Sequence, residues 1–84
     1  MSEHRLELEL RTLITRTTRQ DISRVGWDAD LVAELGLDSL ASLSLLAAIE
    51  RHFDFRFPDE KLSDLRTLRK IHAEIEIQRK GDIP

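Results

Sequence analysis

The residues with the clearest chemical potential are Asp38 and Ser39, which follow Gly36 and precede an apolar run. Asp38 is a favoured N-cap residue, because its carboxylate can accept hydrogen bonds from the first free backbone N–H groups of a helix. Ser39 is then expected in the first helical turn with its hydroxyl facing outward. The free N–H groups and the positive end of the helix dipole favour an anion there. This hydroxyl is therefore well placed to carry a phosphate ester.

A helix at 39–53 would position this serine. Gly36 tolerates the positive φ that can end the preceding segment and turn the chain. The apolar residues that follow recur close to the helical period and are Leu40, Leu43, Leu46, Ala47, Ile49 and Phe53. Pro58 disfavours helix at the residue before it, and together with Asp59 and Glu60 it suits the first turn of a short helix at 59–64.

Two further helices are predicted, at about 3–18 and 67–79. Ser2 and Thr67 are suitable N-cap residues for them, and Gly81 suits the C′ position before a frayed tail at 81–84. The expected apolar faces are Leu6, Leu10, Leu13, Ile14 and Thr17 in the first helix and Leu68, Ile71 and Ile75 in the last. The long connection at 19–38 carries apolar residues that should pin it to the core, and 31–35 within it suits one short helical turn. The pattern predicts an all-α fold, a small four-helix bundle with three longer helices, one short helix and a long first loop.

Composition narrows the class of protein. The 84 residues suit one domain, 1–84, and the absence of cysteine excludes disulfides and thiol chemistry. No apolar run approaches the length of a membrane span and no signal peptide is evident, so a cytoplasmic location is expected. Residues 28–60 hold eight acids and two bases, a net charge of −6. This acidic stretch argues against nucleic acid as a partner and is compatible with partners that present Arg and Lys.

Catalysis by the chain itself is not expected. No Gly-x-Ser-x-Gly elbow surrounds Ser39, and the nearest downstream histidine, His52, lies thirteen residues further on. On a straight helix that separation is about 20 Å, beyond hydrogen-bond reach. His4, His52 and His72 are scattered without ligand-spaced acids, so they are interpreted as surface or rim residues and no metal site is predicted.

The chain resembles the acyl carrier protein family over about residues 31–75, without a gap. The resemblance is carried by LGLDSL at 35–40, by Ile49 and Glu50, and by FDFRFPDE at 53–60. It implies that the serine of Asp38-Ser39-Leu40 bears a 4′-phosphopantetheine arm from coenzyme A, with Asp38 in a supporting role. A separate phosphopantetheinyl transferase using Mg²⁺ would attach the arm. The chain would then be a carrier rather than an enzyme, and because it begins with its own Met it is expected to be a free-standing member.

The resemblance also implies that the surface of the helix at 39–53 docks onto partner enzymes. The residues assigned to this surface are Leu43, Ala47, Glu50 and Arg51. The surface departs from the family pattern, because Ala41, Ser44, Arg51 and His52 stand where the common fatty-acid carriers tend to be acidic. This is interpreted either as neutral helical sequence or as adaptation to a different set of partners. Leu43 is assigned either to the core or to the partner surface.

A cavity for the acyl chain is a further implication of the family. The residues expected to line it are Leu31, Phe55, Phe57, Leu65 and Leu68, although ordinary core packing is the simpler interpretation of the two phenylalanines. The loaded group is expected to be acyl or aminoacyl, in a fatty-acid, polyketide-like or related pathway. Ligase and synthase enzymes would be the other partners of a carrier that is monomeric. The alternative function is a carrier-like bundle that serves only as an interaction module and is never loaded.

Overall fold

Helices are the regular secondary structure of the part of the chain that the computed structural model describes, which is residues 3–81 for the backbone and 4–79 for the side chains. The elements are α1 (Glu3–Thr18), α2 (Leu31–Leu35), α3 (Ser39–Phe53), a 3₁₀ helix (Asp59–Asp64) and α4 (Leu68–Gly81). The all-α bundle predicted from the sequence is confirmed, and the short turn suggested at 31–35 forms as α2. None of the helices within 3–81 has the length and apolar character needed to cross a membrane.

The helix ends follow the local signals with one exception. Asp38 caps α3, and the Thr67 hydroxyl caps α4 by accepting the N–H of Lys70 at 3.1 Å. Gly36 ends α2 in the left-handed region, with φ 64° and ψ 40°. Gly81, predicted to lie just beyond the last helix, is instead its final residue. The sequence of α4 contains no proline, which would break the helical hydrogen bonds, so the helix can continue as far as Gly81. The predicted cap Ser2 and the tail 82–84 lie outside the described residues.

The core is formed by one face from each long helix and by apolar residues of the first loop. α1 runs antiparallel to α3, because Glu9 in its first half contacts His52 near the end of α3. Gln20, just beyond the end of α1, donates to the carbonyl of Leu35, four residues before α3 begins. The fully buried positions come from all these parts of the chain and include Leu10, Ile14, Ile22, Leu31, Ile49, Leu68, Ile71 and Ile75. Thr17, expected on the buried face of α1, is exposed. Ile22 and Leu31, near the two ends of the first loop, are thereby buried in this core.

Polar contacts hold the first loop in place as well. The Arg11 guanidinium donates to the carbonyls of Ile22 and Val25 at 3.0 and 2.9 Å. Trp27 packs edge-on against His72 with ring centroids 5.2 Å apart. His72 is only 8% exposed, so its prediction as a surface or rim residue is wrong. The edge-on contact with the indole covers the imidazole. Because the two residues are 45 positions apart in the chain, helical periodicity could not reveal this burial.

Candidate functional site

The hydroxyl of Ser39 lies on an exposed residue at the first position of α3, as the sequence predicted. Asp38 precedes it in extended conformation, and its Oδ1 accepts the N–H of Ala41 at 2.7 Å. The next N–H, from Ser42, is bonded to the Asp38 carbonyl at 2.9 Å. The N–H groups of Ser39 and Leu40 have no hydrogen-bond acceptor among residues 3–81. Two open donors and the helix dipole therefore act at the position of the serine.

A groove of about 640 Å³ opens beside this serine, between α2, the first half of α3 and the 3₁₀ helix. Its volume is within the range of small-molecule sites. Polar residues at the groove are Asp38, Ser39, Ser42, Asp59, Ser63 and Arg66, and apolar side chains make up the rest: Leu31, Val32, Leu37, Leu43, Leu45, Leu46, Leu62, Leu65 and Ile71. A mainly apolar groove thus borders the Ser39 hydroxyl.

The cavity residues predicted from the sequence are only partly brought together. Leu31 and Leu65 line the groove, whereas Phe55, Phe57 and Leu68 do not. Phe57 is 3% exposed and stacks edge-on with Phe55, at a centroid distance of 4.7 Å. Both rings lie beyond the far end of α3, while the groove flanks its first half. Leu68, with no exposed surface, is part of the central core.

Several groove residues were not identified from the sequence as cavity lining, among them Leu37, Leu46 and Leu62. Leu37 lies between Gly36 and Asp38, and Leu62 lies in the 3₁₀ helix. Leu37 and Leu62 are half-buried. For Leu37 the available sequence signal was its position directly before the Asp38-Ser39 turn. For Leu62 it was its position in the short helix that follows Pro58, since helical periodicity marked neither residue.

An ion pair fixes the wall of the groove next to α2. The Arg66 guanidinium donates to both carboxylate oxygens of Asp30, with the shortest contact at 2.8 Å from Nη2 to Oδ2. Asp30 also caps α2, accepting from Val32 at 2.9 Å, and the N–H of Leu31 bonds the Arg66 carbonyl at 2.8 Å. The hydrogen bond from Arg66 lowers the pKa of Asp30 below its ordinary value of 3.8. The pair therefore stays charged at neutral pH and joins α2 to the segment before α4.

The four residues assigned to a partner surface lie on two adjoining parts of α3. Leu43 is 53% exposed and belongs to the groove. Ala47, Glu50 and Arg51 line a shallower depression with Asp54, Phe55 and Arg56. Arg51 is exposed, whereas the Glu50 carboxylate accepts the backbone N–H of Phe57 at 2.6 Å. The structure thus gives Glu50 a contact within the chain and leaves Arg51 facing solvent.

His52 and His72 each lie beside a glutamate of the chain. His52 Nε2 lies 2.8 Å from Glu9 Oε2, and His72 Nδ1 lies 3.9 Å from Glu76 Oε1. Both histidines stand apart from the groove beside Ser39. Over the residues that the structure describes, no group of three or more His, Asp and Glu side chains is placed to hold a metal ion.

Comparison with known proteins gives a consistent family assignment. A family model described as "Phosphopantetheine attachment site" matches residues 9–75. The chain is 33% identical over 76 residues to a protein of Akkermansia muciniphila named acyl carrier protein, covering 90% of this chain and 95% of the relative. It is 39% identical over 74 residues to the acyl carrier protein of Streptomyces coelicolor, covering 87% of this chain and 80% of the relative. Both relatives are matched over most of their length.

Proposed function

Because the chain belongs to the acyl carrier protein family, we propose that Ser39 is the residue to which its 4′-phosphopantetheine is esterified. The observation that carries this proposal is the exposed Ser39 hydroxyl in the first turn of α3, at the edge of an apolar groove. The open N–H groups of Ser39 and Leu40 suit the phosphate of a phosphodiester. Asp38 supports the site by keeping this turn helical through its bond to Ala41.

The protein is a carrier and not an enzyme. When bound, phosphopantetheine supplies a terminal thiol that holds an acyl group as a thioester. The chain has no cysteine and so provides no thiol of its own. Its residues instead hold the attachment point in one orientation and present it to the biosynthetic enzymes with which carriers interact. The N-cap, the buried loop ends and the Asp30–Arg66 pair perform this task.

We further propose that the groove beside Ser39 shelters part of the carried group. Its lining is mainly leucine, and Leu31 and Leu65, expected from the sequence to contact an acyl chain, lie in it. Transfer of apolar surface from water into such a groove is favourable by about 25 cal/mol per Å². The groove thus suits an acyl group. We propose that the carrier serves a fatty-acid, polyketide-like or related biosynthetic pathway.

The remaining assignments stay predictions. We expect a phosphopantetheinyl transferase to attach the arm and a ligase or synthase to load it with an acyl or aminoacyl group. The single domain at 1–84, the monomeric state and the cytoplasmic location are likewise expected from the sequence. An interaction module that is never loaded is the alternative, and the following experiment separates it from a carrier.

The test is the intact mass of the protein after incubation with coenzyme A, Mg²⁺ and a broad-specificity phosphopantetheinyl transferase. The wild type should gain one phosphopantetheine, and Ser39→Ala should gain none. Ser44→Ala is the matched control, because Ser44 is an exposed serine of the same helix. It should gain one phosphopantetheine like the wild type.

A wild type that gains no mass, while the transferase modifies a known carrier in parallel, would favour the interaction module. A mass gain that persists in Ser39→Ala would move the attachment site to another residue. Circular dichroism of both variants checks that each keeps its helical fold.

A further inference from the structure

The exposed side of α3 carries a continuous stripe of side chains that starts beside Ser39. The stripe consists of Leu40, Leu43, Ala47 and Arg51, spaced three, four and four residues apart, so its members fall along one line of the helix. Leu40 is 75% exposed and Leu43 is 53% exposed, although both are large apolar residues. An exposed apolar stripe beside a site that must meet other proteins is a candidate contact surface.

The charge at the far end of the stripe is positive. Glu50, Arg51 and His52 lie in the last part of α3, and two of them make contacts within the chain: Glu50 with the N–H of Phe57 and His52 with Glu9. Arg51 is exposed and has no ion-pair or hydrogen-bond partner among the described residues. It is therefore the charge of α3 that remains available to another molecule.

A second available cation, Arg56, lines the same depression as Arg51. The acids there are Glu50, which is turned toward Phe57, and Asp54, whose short side chain follows the end of α3. Arginine side chains reach further from the backbone than aspartate, and the guanidinium forms two parallel hydrogen bonds to a carboxylate. The depression thus offers two long cationic side chains to an approaching surface.

The opposite end of the stripe differs in charge. The groove next to Ser39 is bordered by the acids Asp38 and Asp59. Ser39 and Arg51 are separated by twelve residues of one helix, or about 18 Å at 1.5 Å per residue. A partner with positive charge facing the Ser39 end and negative charge facing the Arg51 end can bind α3 in one direction only. In the reversed direction like charges would face each other.

From this arrangement we propose that the stripe docks a partner enzyme through an apolar patch against Leu40 and Leu43 and a cluster of carboxylates against Arg51 and Arg56. This rests on the proposed function, since it places the partner's entrance at Ser39. The carboxylate cluster lies about 18 Å from that entrance along α3. The contact selects partners by the sign of charge at the far end of α3.

The test uses two helix-forming peptides that share one stripe of leucines and differ only at one end. One peptide ends in four glutamates and the other in four lysines, and each carries a nitroxide label at this charged end. Titrations are followed in ¹⁵N–¹H spectra at low salt. The glutamate peptide should bind about five-fold more tightly, because two exposed charge pairs change sign between the peptides. Its shifts should map to residues 40–51 and to Arg56, and its label should broaden the signals of Arg51 and Arg56 more than that of Ser39.

Charge reversal supplies the control. Arg51→Glu with Arg56→Glu should invert the preference, whereas Arg24→Glu, at an exposed arginine of the first loop, should leave it unchanged. Equal affinities, tighter binding of the lysine peptide, shifts confined to residues other than 40–56, or no binding of either peptide at millimolar concentration would each overturn the proposal. Ser39→Ala should bind like the wild type, so the docking surface is tested independently of phosphopantetheine attachment.

Discussion

The Glu50 carboxylate accepts a hydrogen bond from the backbone N–H of Phe57 at 2.6 Å. This contact ties the last turn of α3 to the chain that leaves it, and it holds Phe57 with only 3% of its surface exposed. Its position explains why α3 can keep a glutamate near its C-terminal end, where the helix dipole favours cations. The carboxylate replaces water as the acceptor for a backbone donor in the fold.

Replacing Glu50 therefore tests a structural role for a residue that the sequence assigned to partner contact. Glu50→Ala leaves the Phe57 N–H without its acceptor and should lower the free energy of unfolding by about 1–3 kcal/mol. Glu50→Gln keeps an oxygen acceptor and should cost less. Urea denaturation followed by circular dichroism gives both values. Glu34→Ala, at an exposed acid of α2, should stay within about 0.5 kcal/mol of wild type; a Glu50→Ala value as small as this would contradict the prediction.

The 3₁₀ helix is attached to α4 by an ion pair with one buried member. Lys61 Nζ lies 3.1 Å from Glu74 Oε1, and the Glu74 side chain is only 5% exposed. Lys61→Met removes the cation and should destabilise the fold by about 1–3 kcal/mol, since a buried carboxylate loses its compensating charge, although Gln78 still donates to it at 3.1 Å. Urea denaturation measures the loss.

The matched variant removes the charge from the other member. Glu74→Gln in the Lys61→Met background should recover part of the lost stability, because no uncompensated charge then stays buried. The double-mutant cycle gives the coupling between the two side chains. Additive effects of the two substitutions would show that the pair contributes nothing through direct interaction.

The position of Ser39 was predictable because two local signals agree. Gly36 permits the left-handed turn, and Asp38 caps the helix. Each signal acts through backbone conformation within a few residues. Such effects are present in the sequence itself and do not depend on the rest of the fold.

The face of α3 that enters the core was harder to predict. Leucines occupy much of its circumference, so the period alone does not distinguish the buried Leu45 from the exposed Leu40. That choice depends on where α1 and α4 lie. Tertiary packing also determines two other features that the sequence did not predict. One is the Asp30–Arg66 pair, whose members are 36 positions apart, and the other is the burial of Glu74.

Gly36 offers a test of backbone conformation without a change in packing. A Cβ added at Gly36 or at Gly26 would meet no atom within 4 Å, but only Gly36 has a positive φ, of 64°. Gly36→Ala should therefore cost about 1–2 kcal/mol through left-handed strain alone. Gly26→Ala is the matched control and should be neutral or stabilising by up to about 1 kcal/mol, because alanine restricts the unfolded chain. Equal effects of the two substitutions in urea denaturation would show that the turn before Asp38 relaxes.

The two aspartate–arginine pairs of the first loop should make stability depend on acid pH. Hydrogen bonds from Arg69 and Arg66 lower the pKa values of Asp28 and Asp30, respectively, below the ordinary value of 3.8. A carboxyl whose pKa is lower in the folded state contributes its full stabilisation above the unfolded pKa, and this contribution is lost as pH falls through the folded pKa. Wild-type stability should thus be independent of the charge of these groups near neutral pH and should decline below about pH 4.

Urea denaturation at pH 7 and at pH 3 measures this difference in stability, which should be smaller in the double variant Asp28→Asn with Asp30→Asn. Asn still offers an acceptor to the arginines but does not titrate. An unchanged pH dependence in this double variant would show that other carboxyl groups control the acid response.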